Sequence, residues 1–432
     1  MSSNQPIVEF NPKLPKLSKK EKDVLKLLVE AGRLIVPLYS KQENQKFPGA
    51  NLYPHDVTKE EVKNAAKKDP KILSPYTVVE KLDGRLVAIP YHIKYASFLK
   101  PIADKLTEAS ILTENKAFGK ALKLQAKVLL DGTYEDATKV WLETKPYILD
   151  ISIGPTDHFD DHLFFIKASY QAWVGIMDIE GTERLNNYKS IVLSVSRKAS
   201  IPGERVDNND KVKAKVLDVV LFSGLMARTK FVGVNLPMEV SIVEKYGSEI
   251  TLFNQSNDLR IKELIMPTFN KIFPKVFREE FTLEDLRRGY LRAVALHELA
   301  HSYLYYKNAA KNLGDIFYTI DELAATALGL RMAGSLLLKD RITSKQLESM
   351  IVAFLCRSFN YKKSSRSNYS LRGAIFINFL LKSGALKQSG GMAVPNFMKI
   401  FVALQELSDT LELLLAKGTY KEAEAFIERY QN

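Results

Sequence analysis

Two histidines four residues apart with a glutamate beside the first, His297-Glu298-Leu299-Ala300-His301, are the residues of this chain best suited to chemistry. The surrounding segment is apolar with helical spacing. On a helix, positions i and i+4 share a face about 6 Å apart along the axis, so both imidazoles can converge on one ion. Glu298 projects beside that face and can reach a water at the metal without being a ligand, as the general base of an H-E-x-x-H hydrolase must. A chain of this length and composition carries the pattern by accident in roughly one case in a hundred. Histidine is scarce, 6 in 432 residues, and two of the six fall here. A satisfied pair of core histidines is the plain alternative.

A catalytic zinc takes three protein ligands and keeps one position open, so two histidines leave a third to be found. Glu322 follows His301 by 21 residues, the return distance of a helix-loop-helix hairpin. Thr319-Ile320-Asp321-Glu322 also fits a capping box, in which Glu322 would only satisfy a helix start. Asp321 is either a solvated carboxylate of that first turn or the acceptor that fixes the tautomer of a ligand histidine. A rival cluster, Asp157-His158-Phe159-Asp160-Asp161-His162, holds another histidine pair four apart among carboxylates. A polar surface turn is its commoner explanation, with a second metal as the alternative. No serine or cysteine nucleophile motif and no phosphate-binding glycine loop competes.

The chain must be large enough to position these groups, and 432 residues with 46% hydrophobic content suffice for two to three domains or one two-lobed unit. The net charge of +12 is dispersed along the sequence rather than gathered, which favours attraction to acidic partners over a nucleic-acid groove. Cys356 is the single cysteine. It excludes an intramolecular disulfide or a multi-cysteine zinc site, so zinc must be held by His and carboxylate, and a reducing compartment is expected. Residues 1–20 lack an apolar segment and 323–338 are too short and interrupted to span a bilayer. The expectation is a soluble cytoplasmic protein, with no membrane partner and an oligomeric state the sequence leaves open.

Ser18 and Glu21 spell a capping box ahead of a helix that should end near Pro37. Residues 42–54 read as loop and 58–68 as a lysine-rich helix. Strand signals at 77–79 and 86–89 flank Asp83-Gly84, a strong hairpin cue. Helical spacing returns over 95–130, a strand is expected at 147–153, and 161–177 reads as an apolar, aromatic helix. The polar stretch 201–213 suits a crossing between lobes or an exposed loop. After strands at 231–234 and 250–253, nearly everything from 259 reads as helical. A helix started by Thr282 and Asp285 should carry the motif as far as Gly314. A second helix should run to Leu338, a polar loop should cover 362–370, and one long helix should span 397–430. The resulting expectation is an α+β, predominantly helical fold with two lobes. Residues 1–165 with 214–262 would form a β-containing lobe, and 166–213 with 263–432 a helical lobe that holds the metal.

Several stretches together resemble the dipeptidyl peptidase III family of zinc metallopeptidases, especially its shorter prokaryotic members. They are Ser74 to Glu80 with the hairpin to Tyr91, Asp150-Ile151-Ser152-Ile153-Gly154-Pro155 continuing to Asp160-Asp161, Lys167-Ala168 with Ala172 to Ile176, and Val234-Asn235-Leu236-Pro237. His297 to His301, Asp321-Glu322-Leu323-Ala324-Ala325 with Gly329-Leu330, and Ala374 to Gly384 complete the set. The resemblance implies two lobes flanking a wide cleft, one zinc ion, and release of dipeptides from the N-termini of short peptides. It also implies His297, His301 and Glu322 as ligands with Glu298 as base. Asn235 matches an asparagine that binds peptide backbone, and Asp157 an acidic residue near the substrate amine.

The chain departs from the family at four places. A five-residue His-Glu-x-x-His replaces the six-residue form of many members. Met238 stands where a second asparagine follows the Asn-x-Pro unit, Thr326 where an acidic residue closes the Glu-Glu-x-x-x-acid pattern, and Tyr369 where a late histidine is thought to stabilise the transition state. The reading is a zinc-dependent metallohydrolase, a peptidase acting at peptide N-termini. Tyr369 or Arg372 would assist the oxyanion, and Asp150, Asp157 and Asn235 would meet the substrate amine and backbone. Two alternatives stand beside it. One is a zinc-binding protein without activity that serves as a peptide-binding scaffold; the other is a hydrolase of a non-peptide amide.

Overall fold

The computed structural model describes residues 5–157, 161–196, 205, 211–237, 240–362 and 368–431. The fold is α+β and predominantly helical, and the chain divides into two units. The first comprises Met1–Asp178, Leu217–Phe231 and Leu236–Met238; the second comprises Ile179–Val216, Val232–Asn235 and Glu239–Asn432. The expected division differs from this in four stretches: 166–178 fall in the first unit, and 214–216, 232–235 and 239–262 in the second. The first crossing falls after 178 rather than 165, because the segment expected to be a helix at 161–177 is instead the strand Ser169–Met177, paired antiparallel with Leu149–Asp157. Both faces of that strand are buried except at Met177, so it shows none of the alternation that marks a half-exposed strand. Residues 239–262 belong with the helical unit rather than with the β-containing one.

In the first unit, the capping box of Ser18 and Glu21 starts helix Lys19–Arg33, whose face of Val24, Leu25, Leu27 and Leu28 is buried. Pro37 does not end the helical stretch; it lies in the next helix, Ile35–Gln42. The hairpin Thr77–Leu82 with Arg85–Pro90 forms at Asp83-Gly84 in full register, with both turn residues at positive φ. Strand Ser169–Met177 lies between Leu149–Asp157 and the 217–224 part of Lys213–Gly224, a long strand not anticipated from the sequence. Its core gathers Leu28, Ile35, Leu99, Leu129, Tyr170 and Leu221.

The second unit has its own core, built by helices Leu283–Tyr303, Phe317–Leu338, Ser344–Lys362, Asn368–Lys382 and Phe397–Lys417. The helix carrying the motif stops at Tyr303 rather than continuing to Gly314, and a separate short helix, Ala309–Leu313, follows. The final helical stretch is also two helices, Phe397–Lys417 and Tyr420–Tyr430, the second started by a capping box of Thr419 and Glu422. A hairpin, Leu386–Ser389 with Met392–Pro395, interrupts the otherwise helical C-terminal half. Most of the polar stretch 201–213 and part of the loop at 362–370 lie outside the described residues. Among the described residues, no helix is long and apolar enough to cross a membrane.

Candidate metal centre

Helix Leu283–Tyr303 begins where the sequence says it should. Thr282 Oγ1 accepts from the Asp285 amide at 3.1 Å and Asp285 Oδ2 accepts from the Thr282 amide at 2.9 Å, so two amides of the first turn that lack helical partners are satisfied reciprocally. Helix Phe317–Leu338 crosses it in backbone contact at Gly329. A Cβ there would lie 2.8 Å from the Leu296 carbonyl and the His297 amide. On the other side, Gly289 faces Ser349 of helix Ser344–Lys362 at a similar 2.7–2.8 Å. A third glycine, Gly233, brings its strand against Val294 and Glu298, where a Cβ would lie 2.9 and 3.1 Å from their side chains. Glycine is the residue that permits such approaches.

The crossing at Gly329 sets Glu322 opposite the two histidines. Because its helix starts at Phe317, Thr319 is already inside the helix and Glu322 is not part of a capping box. Ligand atoms of His297, His301 and Glu322 all lie within 4.8 Å of one another. His297 Nε2 is 3.6 Å from Glu322 Oε2, and His301 Nε2 is 3.8 Å from Glu322 Oε1. Zinc held tetrahedrally at 2.0–2.1 Å requires ligand separations of about 3.3 Å, so the two histidine–glutamate distances need to close by only a few tenths of an ångström. The remaining ring nitrogens are turned away from this point. His301 Nδ1 is 3.0 Å from Asp321 Oδ2, and His297 Nδ1 is 3.2 Å from Thr326 Oγ1. With both Nδ1 atoms donating, both Nε2 lone pairs face the shared point. The donor set therefore fits zinc.

The local electrostatics separate the two rings. Burial and the neighbouring His301 hold the His297 pKa well below its usual value. Burial also opposes charge on His301, but the Asp321 carboxylate, through its charge and its hydrogen bond, outweighs it and pushes the pKa up to about 10. Glu322 is held down at about 2: burial works against ionisation, and Arg372 and the two histidines overcome it. Arg372 Nη1 lies 2.6 Å from Glu322 Oε2. Arg357, which sequence reasoning did not single out, acts on both Glu322 and His297 from the next helix. No local pattern marks it, since its relation to the motif exists only through helix packing.

Glu298 is buried at the motif helix, within electrostatic reach of His301. Asn235 sits beside it. Its side-chain amide donates to the Glu298 carbonyl at 3.0 Å and to Ser302 Oγ at 2.8 Å, while its Oδ1 is buried without a hydrogen-bond partner among the described residues. Tyr369 falls in the first turn of helix Asn368–Lys382, and its side chain is outside the described residues, as is Met238. Asp150 and Asp157 belong to the first unit. Asp150 accepts from the Trp173 indole at 3.0 Å, and Asp157 is buried at the end of its strand.

Of the rival cluster, His158 and Asp160 lie outside the described residues. Asp161 is a loop organiser: its carboxylate accepts from the amides of Leu163, Phe164, Ile166 and Lys167 at 3.0–3.1 Å. His162 is exposed and rests edge-on to Phe165.

No family model matches the sequence. Nudix hydrolase 3 of Arabidopsis thaliana is 24% identical over 426 residues, which make up 89% of this chain and 54% of that protein. The chain thus spans about half the length of this curated relative. Two solved structures resemble it over nearly its whole length. Dipeptidyl peptidase III from Caldithrix abyssi superposes with a TM-score of 0.84 at 22% identity, covering 96% of this chain and 91% of that one. Dipeptidyl peptidase III from Corallococcus sp. strain EGB gives 0.85 at 19% identity, covering 98% and 90%. The chain has the fold of these structures.

Proposed function

We propose that this protein is a zinc-dependent peptidase that releases dipeptides or short fragments from peptide N-termini. The observation that carries the reading is the convergence of His297, His301 and Glu322, each held from behind by a different partner, on a chain whose fold is that of dipeptidyl peptidase III structures. Bound by these three residues, zinc would supply Lewis acidity toward a carbonyl and a water of lowered pKa. Glu298 then acts as general base, accepting the proton of the attacking water at its carboxylate and passing it to the leaving amine. Asn235 holds the Glu298 turn of the motif helix in place through the Glu298 carbonyl and Ser302. Arg372 keeps Glu322 ionised and oriented, and Tyr369 assists the oxyanion.

The test is turnover of a dipeptidyl-arylamide and peptide library by protein with stoichiometric zinc, beside Glu298→Gln. The variant should retain the metal and lose about 10²–10⁴-fold in rate, the usual contribution of a general base. Wild-type protein that holds zinc and cleaves nothing in the library would instead support the scaffold reading, which the substitutions at 238, 326 and 369 motivate. Retained stoichiometric zinc in His301→Ala removes the metal assignment itself.

A further inference from the structure

Helix Lys116–Asp131 of the first unit gives one face to the core and the opposite face to solvent. Asn115 caps its start, accepting from the Phe118 amide at 2.9 Å, and Gly132 ends it at positive φ. Phe118, Leu122, Ala126 and Leu129 are buried. Lys116, Lys120, Lys123 and Lys127 are exposed, and at about 100° per residue they fall within an arc of roughly 60° on the other side. Leu130, 42% exposed, continues the same line, which is about 21 Å long. Ile111, 81% exposed, stands just ahead of it at the end of helix Ala96–Leu112.

Along the sequence these lysines read as dispersed charge; spacings of three and four gather them only once the helix forms. Lys127 reaches Asp131 at 3.6 Å, whereas Lys116, Lys120 and Lys123 have no ion-pair partner among the described residues. Like charges three and four apart destabilise a helix, so an anionic cover relieves a repulsion built into this face. The chemistry of the row separates the kinds of cover. A protein partner is met by arginine and aromatic anchors, and lysine is depleted in such interfaces. Single-stranded nucleic acid lies in grooves where aromatic and arginine side chains stack on its bases. This face is the convex side of a helix and carries neither. A bilayer surface asks for no groove and no anchor: it is flat, attracts each lysine separately, and takes apolar side chains at its headgroup boundary. Ile111 and Leu130, at the two ends of the row, meet that last requirement.

We propose that this face docks on the headgroup layer of an anionic phospholipid membrane, with the helix lying in the plane of the surface. Such contact is peripheral and needs no membrane-spanning helix. The candidate metal ligands all belong to the other unit, so the inference stands apart from the peptidase reading and its test needs no turnover.

The experiment is co-sedimentation of the full chain with vesicles of phosphatidylcholine alone or mixed with phosphatidylglycerol. Binding is expected to the mixed vesicles only, with release at about 1 M salt, where charges are screened beyond roughly 3 Å. Each lysine near such a surface contributes about fivefold to partitioning, so Lys120→Gln with Lys123→Gln should weaken binding about 30-fold. Lys59→Gln with Lys63→Gln, which removes the same charge from helix Lys59–Ala66, should stay within about twofold of wild type. Ile111→Ser should weaken binding about fivefold through lost apolar burial. No binding to the mixed vesicles overturns the proposal, as does an equal loss in the two lysine pairs, which would make net charge the cause. Unchanged binding in Ile111→Ser overturns it as well, since any polyanion would then serve. Tighter binding of single-stranded RNA or poly-glutamate than of vesicles, lost with Lys120→Gln and Lys123→Gln, would assign the face to that partner instead.

Discussion

The two histidines are held by unlike partners, and that difference has a measurable consequence. His301 donates to a carboxylate, which orients the ring and strengthens its basicity; His297 meets a hydroxyl, which orients without adding charge. Asp321→Asn should weaken zinc binding about 100-fold and Thr326→Val about tenfold, the two ends of the range for such partners. Competition with a calibrated chelator measures both, and an equal effect of the two would contradict the distinction. Arg372→Met should cost about tenfold as well, because Glu322 loses the group that orients it. At this scale much of the candidate site was legible in the sequence: H-E-x-x-H offers two candidate ligands and a candidate base by helical geometry alone, and Glu322 as the third candidate followed from the return distance of a hairpin. The hydroxyl at 326 was legible only as a missing acid, since nothing in the sequence says that Thr326 reaches His297 Nδ1. Arg357 was invisible because helix packing, not spacing along the chain, brings it to Glu322.

The candidate site exists because helices touch at glycines, and at Gly329 that touch falls on the backbone of His297, a candidate metal ligand. Gly329→Ala places a methyl 2.8 Å from the Leu296 and His297 backbone, where neither neighbour is a flexible side chain. The helices must separate, at a cost of about 1–3 kcal/mol typical of overpacking. Urea unfolding should show that loss, and zinc affinity should fall with it because Glu322 rides on the displaced helix. Gly289→Ala meets Ser349 just as closely, but two turns earlier on the motif helix; it should lower stability similarly with a much smaller effect on zinc. An unaltered unfolding midpoint in Gly329→Ala would show that the crossing tolerates the methyl. Elements with local start signals, such as the helices after Ser18 and Thr282, were readable because capping chemistry is local. Strand Ser169–Met177 was misread because burial on both faces erases its period. The hairpin after Leu386 was overlooked although Gly390-Gly391, both at positive φ, is a recognisable two-residue turn.

Each unit encloses a separate hydrophobic core, one around Leu28, Leu99 and Tyr170, the other around Leu296, Ile320 and Ile351. All three candidate ligands belong to the second unit. A ligand that binds only the folded state stabilises what it binds, by about 2.7 kcal/mol when its free concentration is a hundred times Kd. Zinc should therefore act on one unit and not on the other. Scanning calorimetry of the loaded protein should resolve two transitions, and chelation should lower the midpoint of one while the other stays within a degree or two. His301→Ala should place the same transition at the chelated position and make it indifferent to added zinc. The chain passes between the units several times, at 178/179, 216/217, 231/232 and again between 235 and 239, so coupling through these segments works against the separation. A single transition that moves as a whole on chelation would mean that the connections, rather than the two cores, set the cooperative unit. In that case metal binding in the second unit stabilises the entire chain, including the strands that carry Asp150 and Asp157.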